Sequence, residues 1–98
     1  MLVLSRTLGS SVYIGDGIEV ILIHWTEKAC RLALLARGQE AVIKWVQWND
    51  IVPIVNGIAV RVVEIRPTVV RLGFIAPEEV KIVRDDANDP VLAEQVAA

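Results

Sequence analysis

The chain has one cysteine, Cys30, and one histidine, His24, in 98 residues. No intramolecular disulfide can form, which fits a reducing compartment. A lone His and a lone Cys also leave no metal cluster and no Ser–His nucleophile pair to assemble within one chain. Aromatic residues are scarce at 5%, and three of them are Trp25, Trp45 and Trp48. The core must therefore come from Val, Ile, Leu and Ala, which carry most of the 54% hydrophobic fraction. The apolar runs are nonetheless short, as at residues 20–23 and 32–36, far below the roughly 20 residues that a membrane helix needs. No basic segment followed by an apolar one marks a secretory leader. These absences predict one compact cytoplasmic domain with no cofactor.

A strong charge of one sign is also missing. The net charge is −2, which is not the bulk footprint of a nucleic-acid binder. The distribution is uneven, however. Every Lys and Arg lies at or before Arg84, while Asp85, Asp86, Asp89 and Glu94 crowd the end. The body before Asp85 is slightly basic, so a local basic patch is compatible with the composition.

What the sequence does contain is a repeat at a spacing of forty residues without a gap. Val12-Tyr13-Ile14 and Gly17-Ile18-Glu19-Val20 return as Val52-Pro53-Ile54 and Gly57-Ile58-Ala59-Val60. Arg31-Leu32 and Ala36 return as Arg71-Leu72 and Ala76. Valine-rich strands match one another by chance, but the ungapped register, the paired turn residues and the paired arginine point to one small β unit present twice.

Asp16-Gly17 and Asn56-Gly57 are the dipeptides that accept positive φ at both centres of a two-residue hairpin turn, and each lies between β-branched runs. Pro53 has no N–H to donate, which predicts an edge strand or an outward-pointing nitrogen. Looser turns follow at Thr26-Glu27-Lys28 and Arg66-Pro67-Thr68, then strands at 29–36 and 69–76. Further strands are predicted at 2–5, 41–48 and 79–84. Asn88-Asp89-Pro90 is a helix-start signal, and 91–97 has room for one or two turns. The expectation is an all-β fold of about nine strands with a short C-terminal helix.

Both ends carry longer motifs. The opening Met1-Leu2-Val3-Leu4-Ser5-Arg6, then Gly9 and Ile14-Gly15-Asp16, and the later run from Val70 through Ala76-Pro77-Glu78 to Val80, with Ile82-Val83-Arg84-Asp85-Asp86 after it, resemble the carbon storage regulator (CsrA/RsmA) family of small bacterial RNA-binding repressors of translation. The likeness is strong at the ends and weaker through 37–53. Family members are homodimers of five-stranded protomers with interlocked antiparallel sheets. Each RNA site joins strand one of one protomer to strand five of the other and reads a GGA element in a hairpin loop.

The resemblance implies a tandem version in one chain, spanning 1–98, with repeat one over about 1–46, repeat two over about 41–86 and a short helical tail over 87–98. Residues 41–46 align with both 1–6 and 81–86, so one stretch stands where the family has two strands. That implies one RNA site, pairing Leu4, Ser5, Arg6 and Thr7 with Ile82, Val83 and Arg84. Arg84 matches the family's strand-five arginine and Arg6 a strand-one arginine. Thr7 and Val83 replace residues that are commonly basic and histidine, which weakens the electrostatic part of binding. The middle stretch offers Lys44-Trp45-Val46 and no arginine, so no working second site is expected there.

Plainer readings stand beside these. Arg31 and Arg71 are expected as solvent-facing strand residues. Trp45 and Trp48, three apart, point to opposite faces of a regular strand and plug the core or cover an orphan edge. Trp25 and Cys30 read as packing residues, and the late aspartates as a solvated acidic turn. An enzyme finds no acid–base or nucleophile constellation. Two functions remain open. One is an RNA-binding regulator acting on GGA hairpin loops in mRNA or small RNA. The alternative is a protein-binding module or antagonist with decayed RNA binding, engaging a partner or a second copy through an exposed strand edge.

Overall fold

The computed structural model describes residues 1–55 and 57–85. The strands run β1 (Leu2–Arg6), β2 (Ser11–Ile14), β3 (Ile18–Trp25), β4 (Ala29–Ala36), β5 (Val42–Gln47), β6 (Ile51–Val55), β7 (Ile58–Ile65), β8 (Val70–Ile75) and β9 (Ile82–Arg84). They form two antiparallel sheets, ordered β1-β8-β7-β6 and β5-β4-β3-β2-β9. The all-β expectation holds over these residues, and the sheets interlock: the first strand completes the sheet of the second half, and the last strand completes that of the first.

The period-2 pattern of β-branched residues makes this arrangement. Alternate positions on β2 and β3 (Val12, Ile14, Val20, Leu22) and on β7 and β8 (Val60, Val62, Val70, Leu72, Phe74) point into one shared apolar core and are almost fully buried. Each of the larger of these side chains contributes on the order of 1.5–3 kcal/mol by leaving water. Cys30 belongs to this core, and burial pushes its thiol up to about 11, so it packs as a small hydrophobe, as expected.

The pairing registers coincide under a forty-residue shift. Val20 faces Leu34 and Leu22 faces Leu32, while Val60 faces Phe74 and Val62 faces Leu72. Both hairpins slip register at the same place, between Leu22 and His24 and between Val62 and Glu64. The entry turns match too. Gly9 donates to the Leu22 carbonyl at 2.8 Å and Asn49 to that of Val62 at 2.7 Å. Gly9 and Asn49 both have positive φ, 78° and 73°, a conformation that Gly and Asn tolerate best.

The middle strand takes one of its two alternatives. β1 pairs with β8 through Leu2↔Phe74, Leu4↔Leu72 and Arg6↔Val70. β5 pairs with β4 through Val42↔Leu34, Lys44↔Leu32 and Val46↔Cys30. Each β5 pair is a β1 pair shifted by forty, so β5 is the counterpart of β1. β9 instead pairs with β2, through Val12↔Arg84, Tyr13↔Val83 and Ile14↔Ile82. Among the described residues no strand does the same for β6, which ends its sheet. Pro53 lies on this edge strand, as its missing donor predicts.

The first hairpin turn departs from expectation. Ile14 pairs with Ile18, so three residues close the first hairpin, and positive φ falls on Gly15 (61°) rather than on Asp16 or Gly17. The position equivalent to Gly15 is Val55, whose β-branch resists positive φ. The second hairpin instead closes at Val55↔Ile58, takes positive φ at Gly57 (81°), and absorbs the extra residue as an irregularity between Pro53 and Val55. The Asn56 half of that turn lies outside the described residues. The last strand is shorter than the 79–84 expected. Val80 donates to the Pro77 carbonyl at 3.0 Å, so 77–80 forms a turn and pairing begins only at Ile82. The C-terminal helix expected over 87–98 also lies outside the described residues; among the described residues no helix is long and apolar enough to cross a membrane.

Candidate nucleic-acid interface

The topology brings β1 and β9 together as the outer strands of different sheets on one side of the molecule. Leu2 and Ile82 line one shallow depression at the start of the two strands, and Arg6 and Asp85 bridge their ends. The strands therefore run side by side in the same direction. Of the residues expected to form the site, Leu4, Ser5, Arg6 and Thr7 come from β1 and its turn, and Ile82, Val83 and Arg84 are the whole of β9.

Pairing parity sorts them by face. Leu4 and Arg6 lie opposite the buried Leu72 and Val70, and Ile82 and Arg84 opposite the buried Ile14 and Val12. All four side chains thus face inward. Leu4 and Ile82 close this side of the core. Ser5 and Thr7 are exposed, and Val83, opposite the exposed Tyr13, faces outward. The Thr7 hydroxyl lies 2.9 Å from that of Ser10 within the turn.

Arg6 differs most from the sequence reading. Its side chain is only 5% exposed. Its Nη1 donates to Asp85 Oδ1 at 3.0 Å and to the Ser11 carbonyl at 3.2 Å, and its Nε to the Ser5 carbonyl at 2.8 Å. Asp85 Oδ2 accepts from the Ser11 N–H at 2.8 Å, and the Ser11 hydroxyl donates to Glu19 at 2.7 Å. Arg6, Ser11 and Asp85 thus form a clasp tying β1, β2 and the end of β9 together. Sequence reasoning missed Ser11 and Asp85, because Arg6 and Asp85 are 79 positions apart and nothing local couples them.

The backbone of β9 also has a defined orientation. Gly15 N–H donates to the Lys81 carbonyl at 2.7 Å, and Ser11 N–H points to Asp85. Odd-numbered residues of this stretch therefore face β2, and by alternation the peptide groups of Ile82 and Arg84 point along the outer edge. Such groups, with short side chains, can meet the open faces of unpaired bases, while an arginine adds phosphate contact and stacking. Arg84 on β9, half-buried, and the exposed Lys81 just before it are the cations that this strand carries.

The equivalent positions on β5 lack this chemistry. Val46 fills the place of Arg6 and is buried, Lys44 takes that of Leu4, and Trp45 that of Ser5. Trp45 and Trp48 do not plug the core. Both are exposed; the Trp45 ring sits edge-on to His24 with centroids 6.1 Å apart, and the Trp48 indole donates to the Val63 carbonyl at 3.1 Å. Trp25 does pack against the core, donating to the Arg66 carbonyl at 3.1 Å. Arg31 is solvent-facing as expected, while Arg71 is half-buried and paired with Glu64 at 3.3 Å. The Arg66 guanidinium beside Glu64 holds that carboxyl below its ordinary range.

Residues 48–92 match the family model named CsrA, described as the global regulator protein family. The match spans a little under half of the chain, from the turn after β5 through β9. CsrA proteins are RNA-binding post-transcriptional regulators, and the nine-strand, two-sheet architecture agrees with that fold. No curated protein and no solved structure gives a significant match to the chain.

Proposed function

We propose that this protein is a cytoplasmic RNA-binding regulator of translation that reads GGA-containing hairpin loops through one site, formed by β1 and β9. The observation that carries the reading is that β1 and β9 lie side by side, with Arg84 on β9, the strand that falls within the residues matching the CsrA model. The coincident registers support a tandem pseudo-dimer in one chain, with repeats over about 1–46 and 41–86 that share β5 as their middle strand. Leu4 and Ile82 set the floor of the site, and Ser5, Thr7 and Val83 flank it. Arg84 contacts phosphate or stacks on a base. Arg6 holds β1 and β9 in register through Asp85.

A phosphate contact made by Arg84 predicts a log affinity that falls by about 0.7 per log unit of salt for that contact. Anisotropy titration of a short hairpin with GGA in its loop, beside the same hairpin carrying CCA, tests the reading. The expected result is at least a tenfold preference for GGA, or about 1.4 kcal/mol. Equal affinities would contradict it and leave the alternative, a protein-binding module, which draws on the apolar surface of β5.

A further inference from the structure

We infer that the β5–β6 end of the molecule is an interface with a second copy of this chain, in which the β5 edge of each copy lies against the β6 edge of the other. This is independent of the RNA reading, since β1 and β9 take no part in it.

The inference starts from the broken symmetry. Apart from the β6–β7 hairpin, the forty-residue correspondence of strand pairing breaks at the outer edge of β6, where no described strand does what β9 does for β2. Val42, Leu34, Ala36, Pro53 and Ile54 line an open groove there, with Glu40 at its rim. Val42 in the groove is 46% exposed, and Ile43 and Trp45 on the other face of β5, with Trp48 and Ile51 after it, are each more than half exposed.

The residues that fill these positions identify the kind of partner. Moving from β1 and β2 to the equivalent places on β5 and β6, Ser5 gives way to Trp45, Arg6 to Val46 and Ser11 to Ile51. The buried Arg6 gives way to an apolar residue while Lys44 replaces Leu4, so the cation count is unchanged and apolar surface is gained, which suits a dehydrated protein contact.

The vacant place calls for a strand patterned like β9, with two aliphatic residues and then a basic one: Ile82-Val83-Arg84. Val69-Val70-Arg71 and Ala59-Val60-Arg61 share that pattern but lie at the interior strands β8 and β7; among the other strands whose outer edge no described strand covers, Val42-Ile43-Lys44 at the start of β5 carries it. A second copy can therefore supply the missing strand, and a two-fold axis lets each copy do so for the other, closing the pair. Transferring the β2–β9 register sets Lys44 of one copy opposite Val52 of the other, and Val42 opposite Ile54. Glu40 and this copy's own Lys44 both line the groove, so the incoming Lys44 meets one opposite and one like charge.

Pro53 limits the ladder. Its counterpart Tyr13 belongs to the residues whose N–H groups face β9, so Pro53 removes the middle donor of the β6 edge. The association therefore rests on side chains more than on backbone bonds, and it should respond strongly to Trp45 and Ile43.

Light scattering with size exclusion across a concentration series tests this. The expected mass is twice the 10.8 kDa of the chain. Trp45→Glu and Ile43→Lys should each weaken the dimer at least tenfold with unchanged circular dichroism, while Ile75→Lys, on the exposed side of β8, leaves it intact. If Trp45→Glu loses the sheet signal, Ile43→Lys and Ile51→Lys give the same readout from exposed positions. A chain that stays monomeric overturns the inference and points to a different protein on this face. A dimer unmoved by all three β5–β6 variants overturns it as well.

Discussion

Arg84→Ala is expected to weaken binding to a GGA hairpin by roughly ten- to a hundredfold, with Lys44→Ala within about twofold of the unaltered protein. Arg84 sits on the last strand, its side chain directed inward opposite Val12 and its peptide groups directed along the outer edge. Charge-assisted hydrogen bonds from such a group contribute about 1.5–3 kcal/mol each. Arg6 cannot take over, because its guanidinium is buried and engaged by Asp85 and by the Ser5 and Ser11 carbonyls. The salt dependence should also flatten by about 0.7 in the log–log slope, the loss of one phosphate contact to a single strand. Anisotropy titrations at several salt concentrations measure both effects. A change below threefold, or a larger loss in Lys44→Ala, would move the site away from β9.

Asp85→Ala is expected to have the second large effect, on stability and binding together. Its carboxylate takes the Arg6 guanidinium on one oxygen and the Ser11 N–H on the other. Removing one partner of a buried ion pair costs about 3–5 kcal/mol. Here Asp85 is a third exposed and Arg6 keeps two backbone acceptors, which reduces the expected loss to about 2 kcal/mol. In urea the midpoint should fall by about 1–2 M. RNA affinity should fall about tenfold in the still-folded variant, since β9 pairs with β2 over only three residues and Asp85 fastens its end. If Asp85 instead acted mainly as a negative charge repelling RNA, the same variant would bind more tightly. The two accounts predict opposite signs. Hydrogen exchange at the Ser11 amide reports on the clasp itself, whatever RNA does.

The fold was legible because the core is written in period-2 aliphatic positions and because the repeat registers every strand of one half against the other. The bounds of β4 could be read to the residue from its flanking turns. The middle strand was ambiguous, since residues 41–46 align equally with the first and last strands. The choice was settled by long-range pairing to β4, which local sequence does not encode. The first hairpin misled because Asp-Gly is the stronger turn signal, whereas the preceding Gly15 already supplied the positive φ. At the site, the strand positions were readable but the role of Arg6 was not. An arginine at a strand end looks solvent-facing until a carboxylate from the other end of the chain arrives beside it. Of the two roles expected for the tryptophans of β5 and its turn, the core role fails: Trp45 lies opposite the exposed Arg31 on the outer face of the sheet, and Trp48 is exposed as well.

The central claim is one RNA site per chain, on β1 and β9. It is tested most directly by titrating isotope-labelled protein with the GGA hairpin and following backbone amide shifts to saturation. The account predicts an endpoint at one RNA per chain, with the largest shifts at Leu4 to Thr7 and Ile82 to Arg84 and little change at Ile43 to Val46. Saturation at two RNAs per chain, or shifts centred on Lys44 and Trp45, would contradict it.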